Sequence, residues 1–160
     1  MDQLAGKVRY DEQDMYTLGL LRSIAKMAIE LRLFRKGNAP HYPLAEQLPI
    51  LKWEASKVGI TNPKVASFLL PLWNFSNSTI KSIQLQYLDS NPESDIGECL
   101  LLNLACFMAE KIDKGLRGES GYWRPVPFFC KRLGPKVNDL KQVLGSVQER
   151  LEEILQNIND

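Results

Sequence analysis

The chain has 160 residues, with 20 Lys and Arg against 19 Asp and Glu for a formal net charge of +1, and 44% of it is hydrophobic. That balance excludes a highly charged disordered tail and a globally basic, histone-like protein, and it supplies enough apolar residues for one core. Ten Gly and nine Pro exclude collagen-like and low-complexity chains. No apolar run approaches the roughly 18–20 residues of a membrane span, and the longest, Leu100 to Ala109, is broken by Asn103. The opening MDQLAGKVRY lacks the apolar stretch of a signal peptide. The expectation is a soluble, cytoplasmic, single α-helical domain over residues 1–160.

In chain order, the spacing predicts a first helix from about Glu12 to Lys36, stopped by Gly37-Asn38. Leu20, Ile24, Met27, Leu31 and Phe34 recur at steps of 4, 3, 4 and 3, an apolar stripe for that helix. NAPHYP (38–43) reads as a loop. A helix over Leu44–Val58 follows, with Pro49 in a first turn or at a kink and Gly59 as its C-terminal cap. Thr61-Asn62-Pro63 is a helix start, a capping side chain ahead of a Pro at the first position. That helix carries Val65, Phe68, Leu69 and Leu72 and should kink at Pro71. NFSNS (74–78) interrupts it before Thr79–Leu88 resumes.

Asn91-Pro92 repeats the start signal, and the helix from there to about Lys114 carries Ile96, Leu100, Leu104, Phe107 and Met108. It is apolar around much of its circumference and is the candidate for the central, most buried helix. Residues 115–136 form the largest irregular region, with four Gly and three Pro and one short helical piece over Phe128–Leu133. The last helix, Val137–Ile158, places Val137, Leu140, Leu144, Val147, Leu151, Ile154 and Ile158 at alternating steps of 3 and 4. This is a heptad seam. Leu140, Leu144, Val147, Leu151 and Ile154 are the candidate protein interface, with ordinary packing inside the bundle as the alternative. The fold class is all-α, a helical bundle of five to seven helices with a heptad-patterned C-terminal helix.

The chemistry-bearing residues are few. Cys99, Cys106 and Cys130 contain no CxxC, and Cys99 and Cys106 lie seven apart on one helix, too far for a disulfide. They read as buried thiols in a reducing compartment. The one histidine, His41, sits in the Pro-flanked loop, so Cys–His and Ser-His-Asp catalysis both lack a placed base. No GxxxxGK[ST] or GxGxxG cradle is present. No catalytic residue, metal or cofactor is expected, and the chain does not read as an enzyme.

Charge is distributed unevenly. Residues 7–36 hold seven basic and four acidic residues (+3), 111–136 hold seven and two (+5), and 137–160 hold two and five (−3). At 100° per residue, Arg22, Lys26, Arg32 and Lys36 share an arc of about 120° opposite the apolar stripe, a row that can follow a phosphate backbone. A solvated helix face is the alternative. In the second basic segment Lys114, Arg117, Tyr122, Trp123, Arg124, Lys131 and Arg132 combine cations for phosphates with aromatic faces for bases. Alternatively Trp123, Phe128 and Phe129 plug the end of the bundle. The two arrangements are compatible if Tyr122 and the cations remain outside. No RNP sequence, zinc finger or helix-turn-helix is present, so binding would be to the backbone with little base specificity.

The helix LRSIAKMAIELRLFRK (21–36) and the segment GYWRPVPFFCKR (121–132), within a short all-helical chain, resemble the small helical subunit of type I CRISPR effector complexes. The resemblance covers the whole chain in length and texture. It implies a non-catalytic bundle that contacts the backbone of guide RNA and target DNA inside a larger ribonucleoprotein used in antiviral defence, with other protein subunits as partners. Two alternatives come from other classes. One is a protein-interaction or scaffold module that self-associates through the last helix. The other is a chorismate-mutase-like all-α enzyme, with Arg22, Arg32, Arg35 and Lys36 on the first helix and Ser82 and Gln86 on the third. For the mutase, PLAEQLPIL (43–51) has Glu46 but lacks the Arg-Glu pair that should open the second helix.

Overall fold

The computed structural model describes residues 10–35, 42, 48–88 and 97–159, with the side chains of 33–35 and 159 outside the description. Lys36, the Gly37-Asn38 stop, His41, Glu46 and the Asn91-Pro92 start signal lie outside the described residues. Among the described residues the helices are α1 (Glu12–Leu21), α2 (Ile24–Arg35), α3 (Ile50–Lys57), α4 (Asn62–Leu72), α5 (Asn77–Gln84), α6 (Gly97–Lys111), α7 (Val126–Leu133) and α8 (Val137–Asn159), and there is no strand. The chain is all-α. Counting α1 and α2 as one helix broken at Arg22–Ser23 makes seven.

Local chemistry accounts for the boundaries. The Asp11 side chain caps α1 by accepting from the Asp14 backbone N–H at 2.9 Å, and Ser76 caps α5 by accepting from the Thr79 N–H at 3.1 Å. Leu44 and residues 45–47 lie outside the described residues, and α3 starts at Ile50, after Pro49 with an extended ψ of 134° at the N-cap. Gly59, at φ +78°, ends it as expected, its N–H reaching the Glu54 carbonyl at 3.1 Å. α4 holds Pro71 as its penultimate residue and ends one residue later, at Leu72; the ring removes one i→i−4 hydrogen bond there. Residues 73–76 separate α4 from α5. α7 starts at Val126, two residues before the expected piece, with a Pro in its first turn. It ends at Gly134, φ +84°.

α6 is the central helix, with Cys99, Leu100, Leu101, Leu102, Asn103, Leu104, Cys106 and Met108 all buried. α1 and α5 pack on it from one side and α7 from another, and α2 packs on α4. The main core joins Met15, Leu18 and Ala25 to Ala66, Leu70, Ile83 and the α6 residues, and is closed by Phe129, Leu140 and Val143. A second cluster of Ile50, Trp53 and Tyr87 takes Tyr122 and Trp123 on its flank.

The expected stripe on the first helix is reversed. Leu20, Met27 and Leu31 are 64%, 56% and 61% exposed, and Met15, Leu18, Ala25 and Ile29 face inward instead. Phe34 lies outside the described side chains. The seam on α8 is covered unevenly, with Val137 exposed and Leu151 half-buried. Leu140 and Val143 are buried and Leu144 is half-buried, whereas Val147, Ile154 and Ile158 are 37%, 48% and 73% exposed. These placements give a direct stability test. Leu104→Ala, in the core, should cost about 2–5 kcal/mol in urea unfolding, whereas Leu20→Ala and Met27→Ala should stay within about 0.5 kcal/mol.

Candidate functional site

Three features of the molecule combine charge with unusual placement: a buried ionic network, a basic surface segment, and an apolar groove between α2 and α4. The network is built on Glu119, which is fully buried. Gly118, at φ +75°, turns the chain into that position, and a Cβ there would come within 2.4 Å of the Tyr42 hydroxyl. The Gly118 carbonyl accepts from the Ile50 N–H at 2.8 Å, which ties the loop to the start of α3.

Glu119 accepts from the Arg22 guanidinium and pairs with the Lys26 ammonium, whose side chains are 14% and 13% exposed. The Tyr87 hydroxyl donates to the same carboxylate at 2.9 Å. Behind Tyr87, Asn62 donates its backbone N–H and its amide to Glu54, at 2.6 and 2.9 Å. Two cations, Arg22 and Lys26, therefore converge on one buried carboxylate, with Glu54 held by Asn62 behind it. The match is incomplete: Arg22 Nε and Gln86 Oε1 are buried without partners. Burial, then the neighbouring Arg22 charge, lowers the Lys26 pKa to about 8. Burial pushes the Glu54 carboxyl above its ordinary 4.5, against the opposing pull of Asn62 and Lys26. Burial also raises the Tyr87 hydroxyl.

This arrangement corrects the basic row expected on the first helix. Arg22 and Lys26 point into the molecule, Arg32 is exposed and lines the groove, and Lys36 lies outside the described residues. The break between α1 and α2 sits at the same place, where the Arg22 carbonyl accepts from Gln86 Nε2 at 3.3 Å. The inward face has its own regular spacing, Met15, Leu18, Arg22, Ala25 and Ile29, at steps of 3, 4, 3 and 4. A cation occupies its middle position, so hydrophobicity alone selected the wrong face.

Tyr122 and Trp123 are not external stacking platforms. Both are half-buried against Tyr87, with ring centroids 4.8 and 5.7 Å away, and Trp123 lies nearly parallel to it at 17°. The Arg22 guanidinium lies 5.7 Å from the Trp123 ring. Asn103, buried on α6, anchors this segment. It donates to the Gln86 carbonyl at 2.9 Å and accepts from the Arg124 N–H at 3.1 Å. The cations themselves do face outward: Lys111, Lys114, Arg117, Arg124, Lys131, Arg132 and Lys136 are all exposed. Arg124 and Arg132 lie 5.9 and 5.5 Å from the Phe128 ring, and Arg124 also donates to the Leu88 carbonyl at 2.9 Å.

The groove between α2 and α4 has a volume near 470 Å³. Ile29, Val65, Phe68 and Leu69 line it together with Arg32 and Lys57, and Lys64 sits 5.1 Å from the Phe68 ring. Ser82 and Gln86 are turned inward. Ser82 donates to Glu98 at 2.9 Å and Gln86 to the Arg22 carbonyl. Cys99 and Cys106 are buried, and burial raises the Cys99 thiol to about 11, so little thiolate forms at neutral pH. Among the described residues no group of three or more His, Cys, Asp and Glu could hold a metal ion, and no helix is long and apolar enough to cross a membrane.

Glu119→Gln leaves two buried cations opposite a neutral amide and should destabilise the fold by about 3–5 kcal/mol in urea unfolding. Glu54 gives a pH signature. Its folded-state pKa is raised, so the stability it contributes is full below pH 4.5 and is lost as pH rises through the raised value. The unfolding free energy of Glu54→Gln minus that of the native protein should therefore climb as pH rises above 4.5. A flat difference would mean that the fold does not raise the carboxyl's pKa.

Compared with family models, curated proteins and solved structures, the chain matches none of them.

Proposed function

We propose that the protein is a non-catalytic helical subunit that binds the backbone of a nucleic acid within a larger assembly. The observation that carries this reading is the sequestration of Glu119. Residues 111–136 hold seven cations, all exposed, and two carboxylates. Glu119 is enclosed and spent on Arg22 and Lys26, so Asp113 alone opposes the seven within that segment. The surface charge of the segment is thus +6 where the sequence sum is +5.

The aromatic residues do not contribute stacking faces, so the cations carry the interaction. Affinity then depends on phosphate charge and on salt, with little dependence on base identity. Lys114, Arg117, Arg124, Lys131 and Arg132 remain as binding residues. Arg22 and Lys26 hold the fold, and Arg32 belongs to the groove. The reading is compatible with a type I CRISPR small-subunit role, in which guide RNA and target DNA would supply the phosphates.

A second reading, a protein-interaction module that docks through α8, is favoured by the exposure of Val147, Ile154 and Ile158 beyond the bundle. The two are compatible in one assembly subunit, since they use different surfaces.

Labelled single-stranded RNA and DNA should bind at about 50 mM salt and lose affinity by orders of magnitude at about 200 mM. Lys114→Ala, Arg117→Ala and Lys131→Ala together should lower the slope of log affinity against log salt by about 2, at roughly 0.7 per single-strand phosphate contact. Absence of binding at low salt, or an unchanged slope in the triple variant, would overturn the proposal.

A further inference from the structure

We propose that the groove between α2 and α4 is a binding site for a small amphipathic anion, an apolar body carrying one carboxylate or phosphate head. The proposal goes beyond the nucleic-acid reading and shares no residue with the 111–136 segment.

Size narrows the occupant first. The groove holds about 470 Å³, inside the roughly 300–1,000 Å³ of small-molecule sites. One turn of an α-helix, about 10–12 Å across with its side chains, already equals that volume. The space therefore suits a small molecule better than a segment of chain.

The lining has depth. Ile29 on α2 is 4% exposed and is the floor. Val58, Val65 and Leu69 are half-buried walls, and Phe68 stands at the rim, 57% exposed. On α4, Val65, Phe68 and Leu69 are spaced i, i+3 and i+4, so one face of the helix carries all three. An apolar body covering this recess leaves water, which is favourable.

The charges are of one sign. Arg32 lies one turn beyond Ile29 on α2, and Lys57 precedes Val58 at the end of α3, so each cation adjoins an apolar lining residue. Both cations are exposed, and no carboxylate is among the residues that line the groove. Among the described residues the ion pairs are those of Arg22 and Lys26 with Glu119, so neither Arg32 nor Lys57 is neutralised by a carboxylate. Lys64, 5.1 Å from the Phe68 ring, adds a third positive charge at the rim. A guanidinium fork and an ammonium offer charge-assisted hydrogen bonds to the oxygens of a carboxylate or phosphate. A neutral ligand leaves them unused, and a cationic ligand is repelled. Volume, apolar depth and unpaired cations thus meet in one recess, and an amphipathic anion is the class that uses all three.

Methyl NMR titration of the full chain tests this, with decanoate, decyl phosphate and the neutral decan-1-ol as probes. Decanoate or decyl phosphate should bind saturably at one site with Kd below about 1 mM, moving the methyl signals of Ile29, Val65 and Leu69. The tighter of the two identifies the head. Arg32→Gln with Lys57→Gln should weaken that anion at least about fivefold, the loss of two charge-assisted contacts, and leave decan-1-ol within about twofold. Phe68→Ser should weaken every probe. These three positions are exposed, so Tm should remain near native. Lys114→Ala, Arg117→Ala and Lys131→Ala together should leave these affinities unchanged, which separates this proposal from the nucleic-acid reading. Shifts that do not saturate, shifts that fall outside the groove, or an anion affinity unchanged in the Gln pair would overturn the proposal. Capture of the protein by phosphatidylserine vesicles, without binding of either soluble anion, would overturn it in favour of a membrane contact.

Discussion

The fold depends on a single buried carboxylate. Glu119 sits in a loop between α6 and α7, yet its partners Arg22 and Lys26 flank the break between α1 and α2, and Tyr87 follows α5. One side chain thus ties three remote parts of the chain at the point where their packing meets. The tie is not a large net source of stability, since taking these charges out of water costs about as much as their attraction returns. Its effect is specificity of arrangement. Any packing that moved Glu119 away would leave Arg22 and Lys26 buried without a counter-charge. The first helix can present that face to the core only if the loop delivers the carboxylate, and Gly118 makes the required turn.

The same network separates the interior charge from the surface charge. A sequence sum treats Glu119 as a neighbour that offsets Arg117 and Arg124. In the folded chain it offsets Arg22 and Lys26 instead, 97 and 93 positions earlier in the chain. The exterior of 111–136 becomes more cationic, and the first helix contributes fewer external cations than its sequence suggests. One rearrangement of charge therefore weakens half of the expected binding surface and strengthens the other half. Tyr122 and Trp123 move inward for a related reason. Tyr87 offers them an aromatic face beside the network, and the Tyr122 hydroxyl accepts from the Leu51 N–H at 3.3 Å, which joins the loop to α3.

What was legible in the sequence followed from local rules. The central burial of α6 came from apolar residues around most of its circumference, and the end at Gly59 from the need for a positive φ. The length of α8 came from its unbroken 3–4 spacing. What was illegible depended on contacts far apart in sequence. The first helix carries two regular stripes, one through Leu20, Met27 and Leu31 and one through Met15, Leu18, Ala25 and Ile29. The second has Arg22 and Lys26 within it. Hydrophobicity prefers the first stripe. Only the position of Glu119 makes the second the better one to bury, and nothing local to the helix reports it. The α2–α4 groove was hidden for the same reason, since Arg32 and Lys57 come from separate segments that α4 brings together.

The exposed apolar residues bear on how complete the folded chain is by itself. A lone exposed Leu is ordinary, but Val147, Ile154 and Ile158 continue a stripe whose first half is buried on the same helix. A helix held only near its N-terminal end gains little from the tertiary packing that stabilises helices in water. Its regular 3–4 spacing nevertheless persists to Ile158. A helix that is apolar along one side and exposed at Val147, Ile154 and Ile158 has the physical properties of one partner in a contact. The other partner must supply an apolar surface that takes side chains at steps of 3 and 4.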